Sequence, residues 1–188
     1  MKQNWKPGTM IYPLPAVMVS CADARGNDNI ITVAWTGTIC TDPAMLYISV
    51  RPERYSYDMI RETMEFTVNL TTDALARATD WCGVRSGRDY DKWAECGLTR
   101  EPGVMVSCPS IAESPLSIEC KVQEIVPLGS HSMFIARVVN VRADETLIDP
   151  ETGAFNLGSA GLINYAHGHY YSQGGEIGRF GWTVKKKK

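Results

Sequence analysis

The sequence predicts a mainly β fold, an antiparallel barrel with short helices at its periphery. At least six stretches have strand character, whereas helical periodicity is confined to three short stretches. Strands and helices do not alternate regularly along the chain, as the βαβ units of a parallel sheet require. An antiparallel sheet that closes on itself accommodates this series of strands.

The N-terminal part is predicted to form a hairpin. A strand at 14–21 is followed by a turn cluster at 24–29 and a second strand from Ile30. In the second strand, alternation places Ile31, Val33 and Trp35 on one face and Thr32, Ala34 and Thr36 on the other. A purely structural strand with its threonine face in solvent would show the same alternation.

The middle of the chain combines two strands, at 45–50 and 66–70, with short helices. The first helix is expected at 56–64 because apolar residues recur there at helical spacing, and Ser56 is a suitable N-cap. A second helix is expected at 72–82.

Towards the C-terminus, a helix at 90–96 is expected to be capped by Asp89 and to stop at Gly97. Residues 116–122 alternate between apolar and polar side chains, which predicts a half-buried strand. After a Pro-Leu-Gly-Ser turn, residues 132–141 form a long strand.

Size and composition limit the function classes. The 188 residues are expected to form a single domain, 1–188. The net charge of −2 gives no basis for nucleic-acid binding, and the four lysines at 185–188 are expected to be a solvated end. No apolar stretch approaches the ~20 residues that span a bilayer, and residues 1–9 lack a signal-peptide core. A soluble, cytoplasmic protein without a membrane partner is expected.

Six cysteines occur without a C-x-x-C pair, the spacing that structural zinc sites normally use. Several lie within apolar runs, where a thiol packs as a small hydrophobic group. Reduced, mostly packing cysteines are therefore expected. The alternative is a redox-active thiol, which has no motif to support it.

Two segments offer cations and hydroxyls that suit a phosphate. At the first helix, Ser56 follows Arg51 and Arg54, and a helix N-terminus adds free N–H groups. Lys92 follows a flexible Ser-Gly-Arg loop and offers a mobile point charge. The alternatives are a capped surface helix with exposed arginines, and a surface pair of Lys92 with Asp89.

Histidines provide two further candidates. His131 precedes an apolar strand, where it can hydrogen-bond a ligand or transfer a proton near pH 7; the alternative is a turn histidine without a partner. His167 and His169 are expected to share a strand face among three tyrosines, but no third metal ligand has suitable spacing. No metal site is predicted, and the tyrosines are expected to cover a ligand or a dimer partner.

Motifs of other enzyme classes are absent. The sequence contains neither a G-x-G-x-x-G that opens a helix, nor a G-x-x-x-x-G-K-[ST], nor a G-x-S-x-G elbow. It therefore does not support kinase, Rossmann dehydrogenase or serine hydrolase chemistry.

Together, these segments resemble the flavin reductase-like family of FMN-binding split barrels, and within it the flavoredoxin branch. The resemblance extends from about residue 13 to residue 141 and rests on the order and spacing of several segments. They are 29–36 before 41–43, 48–50 with 55–57, 66–70, 86–92, and 129–131 before 134–138.

The resemblance implies a six-stranded antiparallel split β-barrel of Greek-key topology that forms a homodimer, with one FMN per subunit near the dimer interface. His131 matches a position near the nicotinamide or flavin, which implies a catalytic role and makes NADH or NADPH a candidate co-substrate. The implied FMN contacts are Thr32, Ala34, Trp35, Thr36 and Gly37 at the ring, with Asn29 at the start of the same segment, Ser49, Val50 and Arg51 along the ribityl chain, and Ser56, Tyr57 and Lys92 on the phosphate side.

The implied function is that of a redox flavoprotein that passes electrons from NAD(P)H or a protein donor to flavin or a redox partner. FMN would carry the electron chemistry, while the protein supplies binding, orientation and electrostatics. One alternative is a flavin-binding or accessory module without turnover. Another is a structural barrel that shares only the fold.

Overall fold

A computed structural model describes residues 1–184. The lysines at 185–188, expected to be a solvated end, lie outside the described residues. The strands are β1 Leu14–Pro15, β2 Val17–Ala22, β3 Asp28–Val33, β4 Thr36–Cys40, β5 Met45–Val50, β6 Glu65–Leu70, β7 Arg100–Glu101, β8 Ser110–Ile111, β9 Leu116–Pro127, β10 Ser132–Ala143, β11 Ile163–Ala166 and β12 His169–Ser172. The helices are α1 Tyr55–Thr63, α2 Ala76–Val84 and α3 Lys92–Cys96.

The main sheet is antiparallel and has the strand order β3-β2-β6-β9-β10-β5-β4. Its edge strands β3 and β4 are separated only by Ala34 and Trp35, a span of roughly 10 Å when extended. The two edges must therefore lie close together at that point, and the sheet curls into a split barrel. The predicted mainly β, antiparallel split-barrel class is confirmed.

The main sheet has seven strands rather than the six predicted. The difference arises at residues 34–35, where the predicted strand breaks. Its first part, β3, pairs with β2, and its continuation β4 pairs with β5, with Thr36 opposite Ile48. Apolar and polar residues alternate across the break, so the pattern alone reads as one strand.

The barrel interior holds the larger apolar core, and both faces of β3 are covered. Ile31 and Val33 belong to the interior core. Ile30 belongs instead to a second apolar cluster with Trp93 of α3. The Thr32 hydroxyl donates a hydrogen bond to the Thr79 carbonyl of α2. Thr32 is thus half-buried against α2. The structural alternative, which required a threonine face exposed to solvent, does not hold for this residue.

Helix α1 begins one residue earlier than predicted, with Arg54 as the N-cap and no side-chain capping bond. Ser56 is the second helical residue and is buried, so its predicted role as N-cap is wrong. Its hydroxyl instead accepts a hydrogen bond from Asn29 Nδ2.

Helices α2 and α3 also differ at their starts. A 3-10 turn at Asp73–Leu75 precedes α2, so the α-helix proper is shifted towards the C-terminus. Asp91, not Asp89, caps α3 by accepting from two backbone N–H groups of the first turn. The predicted stop at Gly97 is confirmed by its left-handed conformation, with φ of 63°.

A small sheet of order β1-β11-β12 lies beside the barrel. His167 and Gly168 form its tight turn with φ of 51° and 90°, so His167 and His169 do not share a strand face as predicted. Within residues 1–184, no group of three potential ligands is arranged to hold a metal ion. None of the helices there is long and apolar enough to span a membrane.

Candidate functional site

Two adjacent cavities lie where the edges of the barrel meet α2. The first, here called the wide cavity, has a volume of about 360 Å³. The second, here called the basic cavity, has a volume of about 160 Å³. Both are lined by Ile31, Arg54 and Gly83, so the two cavities are adjacent and share these residues as a common border.

The wall of the wide cavity is built by the ends of β3 and β5. The Ser49 N–H donates a hydrogen bond of 2.8 Å to the Trp35 carbonyl, which holds the two segments side by side. This register explains why residues far apart in sequence meet here. The predicted residues that line the cavity are Thr32, Ala34, Trp35, Ser49, Val50, Arg51 and His131.

Aromatic rings surround the wide cavity. The Trp35 and His131 rings are parallel within 3°, with centroids 6.3 Å apart. The ring centroid of Tyr165 lies 6.5 Å from that of Trp35, and the ring centroid of Tyr170 lies 5.9 Å from that of Tyr165. Both tyrosines come from the β11–β12 hairpin and line the same cavity. Flat apolar walls with a few polar groups suit a planar ring ligand.

His131 is a partnered histidine, contrary to the alternative of an isolated turn residue. Its Nδ1 lies 2.9 Å from the Ser130 hydroxyl, and its ring stacks with Trp35. Partial burial and the nearby Arg51 cation lower the pKa of His131. The imidazole is therefore neutral at pH 7 and offers one N–H donor and one nitrogen acceptor.

The basic cavity concentrates positive charge. Four cationic side chains line it, opposed by one carboxylate, that of Glu53. Ser56 and Ser86 add hydroxyls. Cations and hydroxyls that converge on a small cavity form a donor set for a phosphate or another compact anion. The cations are Arg54, Arg85, Arg88 and Lys92.

Lys92 is a fixed charge and not the mobile one predicted. The side chain is only 3% exposed, and its Nζ donates to the carbonyls of Ile30 and Cys82 at 2.7 Å each. Its burial also contradicts the alternative of a surface pair with Asp89. Burial lowers the pKa of Lys92. Because an ammonium has three N–H donors, one remains for a ligand in the basic cavity.

Asn29, Ser56 and Gly87 form the tight end of the basic cavity. Asn29 Nδ2 donates to the Ser56 hydroxyl at 2.8 Å, and both residues are buried. A Cβ at Gly87 would lie 2.1 Å from Asn29 Oδ1 and 2.9 Å from Tyr55 Cδ1. Only glycine therefore allows the loop after α2 to approach this closely.

Three predicted contacts lie outside both cavities. The Thr36 hydroxyl donates to the Tyr47 carbonyl at 2.6 Å, and Gly37 lies against the Tyr47 ring. The Tyr57 hydroxyl is 2.9 Å from that of Ser132. The side chains of Thr36 and Tyr57 thus make contacts within the barrel.

The sequence-based site lacked several lining residues. Arg85 and Arg88 flank the Ser-Gly pair of the loop, and this density of arginines beside a glycine was a usable signal. The sequence predicts Arg54 only as an added charge upstream of Ser56, whereas in the structure its side chain lines both cavities. Gly83 contacts Thr32 and carried no signal in the sequence.

Comparisons with known proteins identify the family and the fold. The model of the family described as "Flavin reductase like domain" matches residues 9–173. The fold is similar to that of flavoredoxin from Desulfovibrio vulgaris (Miyazaki F), with a TM-score of 0.91 and 30% identity over 98% of this chain and 100% of the other.

Two further solved structures are similar in fold. Flavoredoxin from Methanosarcina acetivorans matches with a TM-score of 0.88 and 22% identity, covering 98% of this chain and 100% of the other. An FMN-binding protein from Thermus thermophilus matches with a TM-score of 0.80 and 22% identity, covering 95% and 99%. The resemblance stated from the sequence is thereby confirmed.

Proposed function

Because the chain belongs to the flavin reductase-like family, we propose that it is an FMN-binding redox flavoprotein. The observation that carries this proposal is the adjacency of an aromatic-walled cavity and a small cationic one, which share three lining residues. A ligand with a planar ring at one end and a phosphate at the other matches both parts. FMN has this form, and one structural relative is named as an FMN-binding protein.

The residues of the basic cavity would hold the phosphate. Lys92 contributes a fixed ammonium with one free N–H, and the Ser56 hydroxyl can donate its proton because Asn29 already donates to its oxygen. Arg54 lines both cavities and can neutralise the phosphate from the side of the ring. Charge-assisted hydrogen bonds of this kind contribute about 1.5–3 kcal/mol each.

The residues of the wide cavity would hold the ring. Trp35 and Tyr165 provide flat contacts, while Ser49 and Arg51 provide polar ones. When bound, FMN would supply the electron-transfer chemistry, while the protein supplies binding, orientation and electrostatics. The low pKa of His131 keeps its imidazole neutral, so it can hydrogen-bond a reductant or ring without adding a second cation beside Arg51.

NADH, NADPH or a reduced protein partner is the proposed electron donor, with flavin or a redox protein as acceptor. The mouth of the wide cavity, where His131 and Trp35 stack, is the proposed point of approach. The proposed setting is the cytoplasm.

We also propose that the chain acts as a homodimer and as one domain. Large apolar side chains are exposed in both terminal segments, where Ile11 is 85% and Ile177 is 96% accessible. Contiguous exposed apolar surface is typical of protein–protein contacts, and we propose that these segments contribute to such a surface in the dimer. Light scattering coupled to gel filtration tests this, and a monomer mass at micromolar concentration would contradict it.

Anaerobic reduction tests the redox role. The FMN-loaded protein is mixed with NADH, NADPH or a chemically reduced ferredoxin-type protein, and flavin absorbance is followed. Bleaching by one of them at a catalytically useful rate supports the proposal. Full FMN occupancy without bleaching by any donor would indicate a flavin-binding module without turnover.

A further inference from the structure

Two cysteines meet beside the basic cavity. Cys82 lies in the last turn of α2 and is buried, whereas Cys96 ends α3 and is partly exposed. Their sulfurs are 3.9 Å apart and in hydrogen-bonding contact. A disulfide requires a separation of about 2.05 Å, so the sulfurs need to approach by roughly 2 Å.

These cysteines mark the ends of the loop that builds the basic cavity. The loop between them supplies Arg85, Gly87 and Arg88 to that cavity. Cys82 itself lines the cavity, and its carbonyl accepts from Lys92 Nζ at 2.7 Å. A covalent link between the two sulfurs would therefore close a ring around the loop.

We propose that Cys82 and Cys96 form a redox-responsive dithiol whose disulfide fastens this loop. The oxidant is a hydroperoxide. The Cys96 thiolate attacks the peroxide, the O–O bond breaks, an alcohol or water leaves, and a sulfenic acid forms. Cys82 then attacks that sulfur, the S–S bond forms, and the hydroxyl leaves with the released proton as water. Two thiols are oxidised by two electrons, and one peroxide is reduced.

The accessibility of the two thiols determines their order of reaction. Cys96 is the partly exposed thiol and meets the oxidant first, while buried Cys82 waits 3.9 Å away as the resolving thiol. Burial raises the pKa of both thiols, so the reaction accelerates as the pH rises. Cys96 is the last residue of α3, packs partly buried against the second apolar cluster, and is followed by Gly97 in a left-handed conformation.

The functional consequence rests on the proposed binding of FMN. A cross-link across the loop removes open conformations from which a phosphate would escape. Release of FMN is expected to be slower from the disulfide form than from the dithiol form.

Peptide mapping tests the dithiol itself, with or without FMN. The protein is treated with hydrogen peroxide, alkylated under denaturing conditions and digested with trypsin. The expected product is peptide 78–85 linked to peptide 93–100 by a disulfide, absent in Cys96→Ser and retained in the control Cys40→Ser. Recovery of both cysteines as alkylated thiols, or of Cys96 as a sulfinic acid without the linked pair, would overturn the proposal.

The rate of FMN release tests the consequence separately. Slower release in the oxidised protein, and no such change in peroxide-treated Cys96→Ser, supports fastening of the loop. Equal rates despite the linked peptides would refute the fastening. A protein that forms the linked peptides but binds no FMN in either state would refute the proposed function and leave the dithiol standing.

Discussion

Lys92→Met removes a buried charge and nearly preserves the side-chain volume. The variant loses one charge-assisted contact to a phosphate, worth about 1.5–3 kcal/mol, so FMN affinity should fall roughly tenfold to a hundredfold. The Ile30 and Cys82 carbonyls also lose their shared donor. The free energy of unfolding should decrease by about 1–3 kcal/mol, because buried carbonyls without partners are costly.

Isothermal titration with FMN and urea unfolding measure the two effects. Lys121→Met is the matched control, since Lys121 is half-exposed and pairs with Glu65 at 3.3 Å, an interaction worth at most about 1 kcal/mol. Its FMN affinity should stay unchanged. Folded Lys92→Met that binds FMN with wild-type affinity would remove Lys92 from the phosphate site.

Three further predictions concern the loop, the histidine and a buried thiol. Gly87→Ala would place a Cβ 2.1 Å from Asn29 Oδ1, so titration should show FMN affinity reduced by about tenfold or more. The control Gly174→Ala, which adds a Cβ in open space, should keep wild-type affinity. Wild-type affinity in Gly87→Ala would show that the loop adapts. Because the pKa of His131 is lowered, the rate of reduction by NAD(P)H should be constant near neutral pH and fall only below the ordinary histidine pKa of about 6.5. If His131→Gln shows the same fall in rate at acid pH, that result would contradict a role for His131. Burial raises the pKa of Cys108 from 9.0 to about 12, so its thiol stabilises the fold fully below pH 9 and loses that contribution as the pH rises towards 12. Urea unfolding between pH 9 and 12 should therefore show that the free energy of unfolding falls less steeply with pH in Cys108→Ala, by about 1.4 kcal/mol per pH unit. An unchanged pH dependence would refute this assignment.

Six of the seven strands of the main sheet could be predicted because each of them carries its own local signal. Residues 45–50 form a strand with the predicted bounds, and β3 pairs with β2 as the hairpin required. The break at residues 34–35 could not be predicted, because the alternation continues across it. At these residues the chain passes from one edge strand of the main sheet, β3, to the other, β4, and the two edges are close only because the sheet curls.

The site could be predicted only where backbone position decides it. Ser49 and Trp35 meet because their strands are hydrogen-bonded, and seven of the residues predicted from the sequence line the wide cavity. Side-chain partners were less accessible to prediction. Sequence cannot show that Lys92 is buried against two carbonyls, or that Thr36 turns to the Tyr47 carbonyl, because both depend on tertiary packing.

Binding of FMN by the two adjacent cavities can be measured from the absorption spectrum of the purified protein after incubation with FMN and gel filtration. We expect a flavin spectrum that coelutes with the protein at one FMN per chain and is weakened in Lys92→Met. Folded wild-type protein that elutes without flavin absorbance, with all FMN in the small-molecule fraction, would contradict the claim.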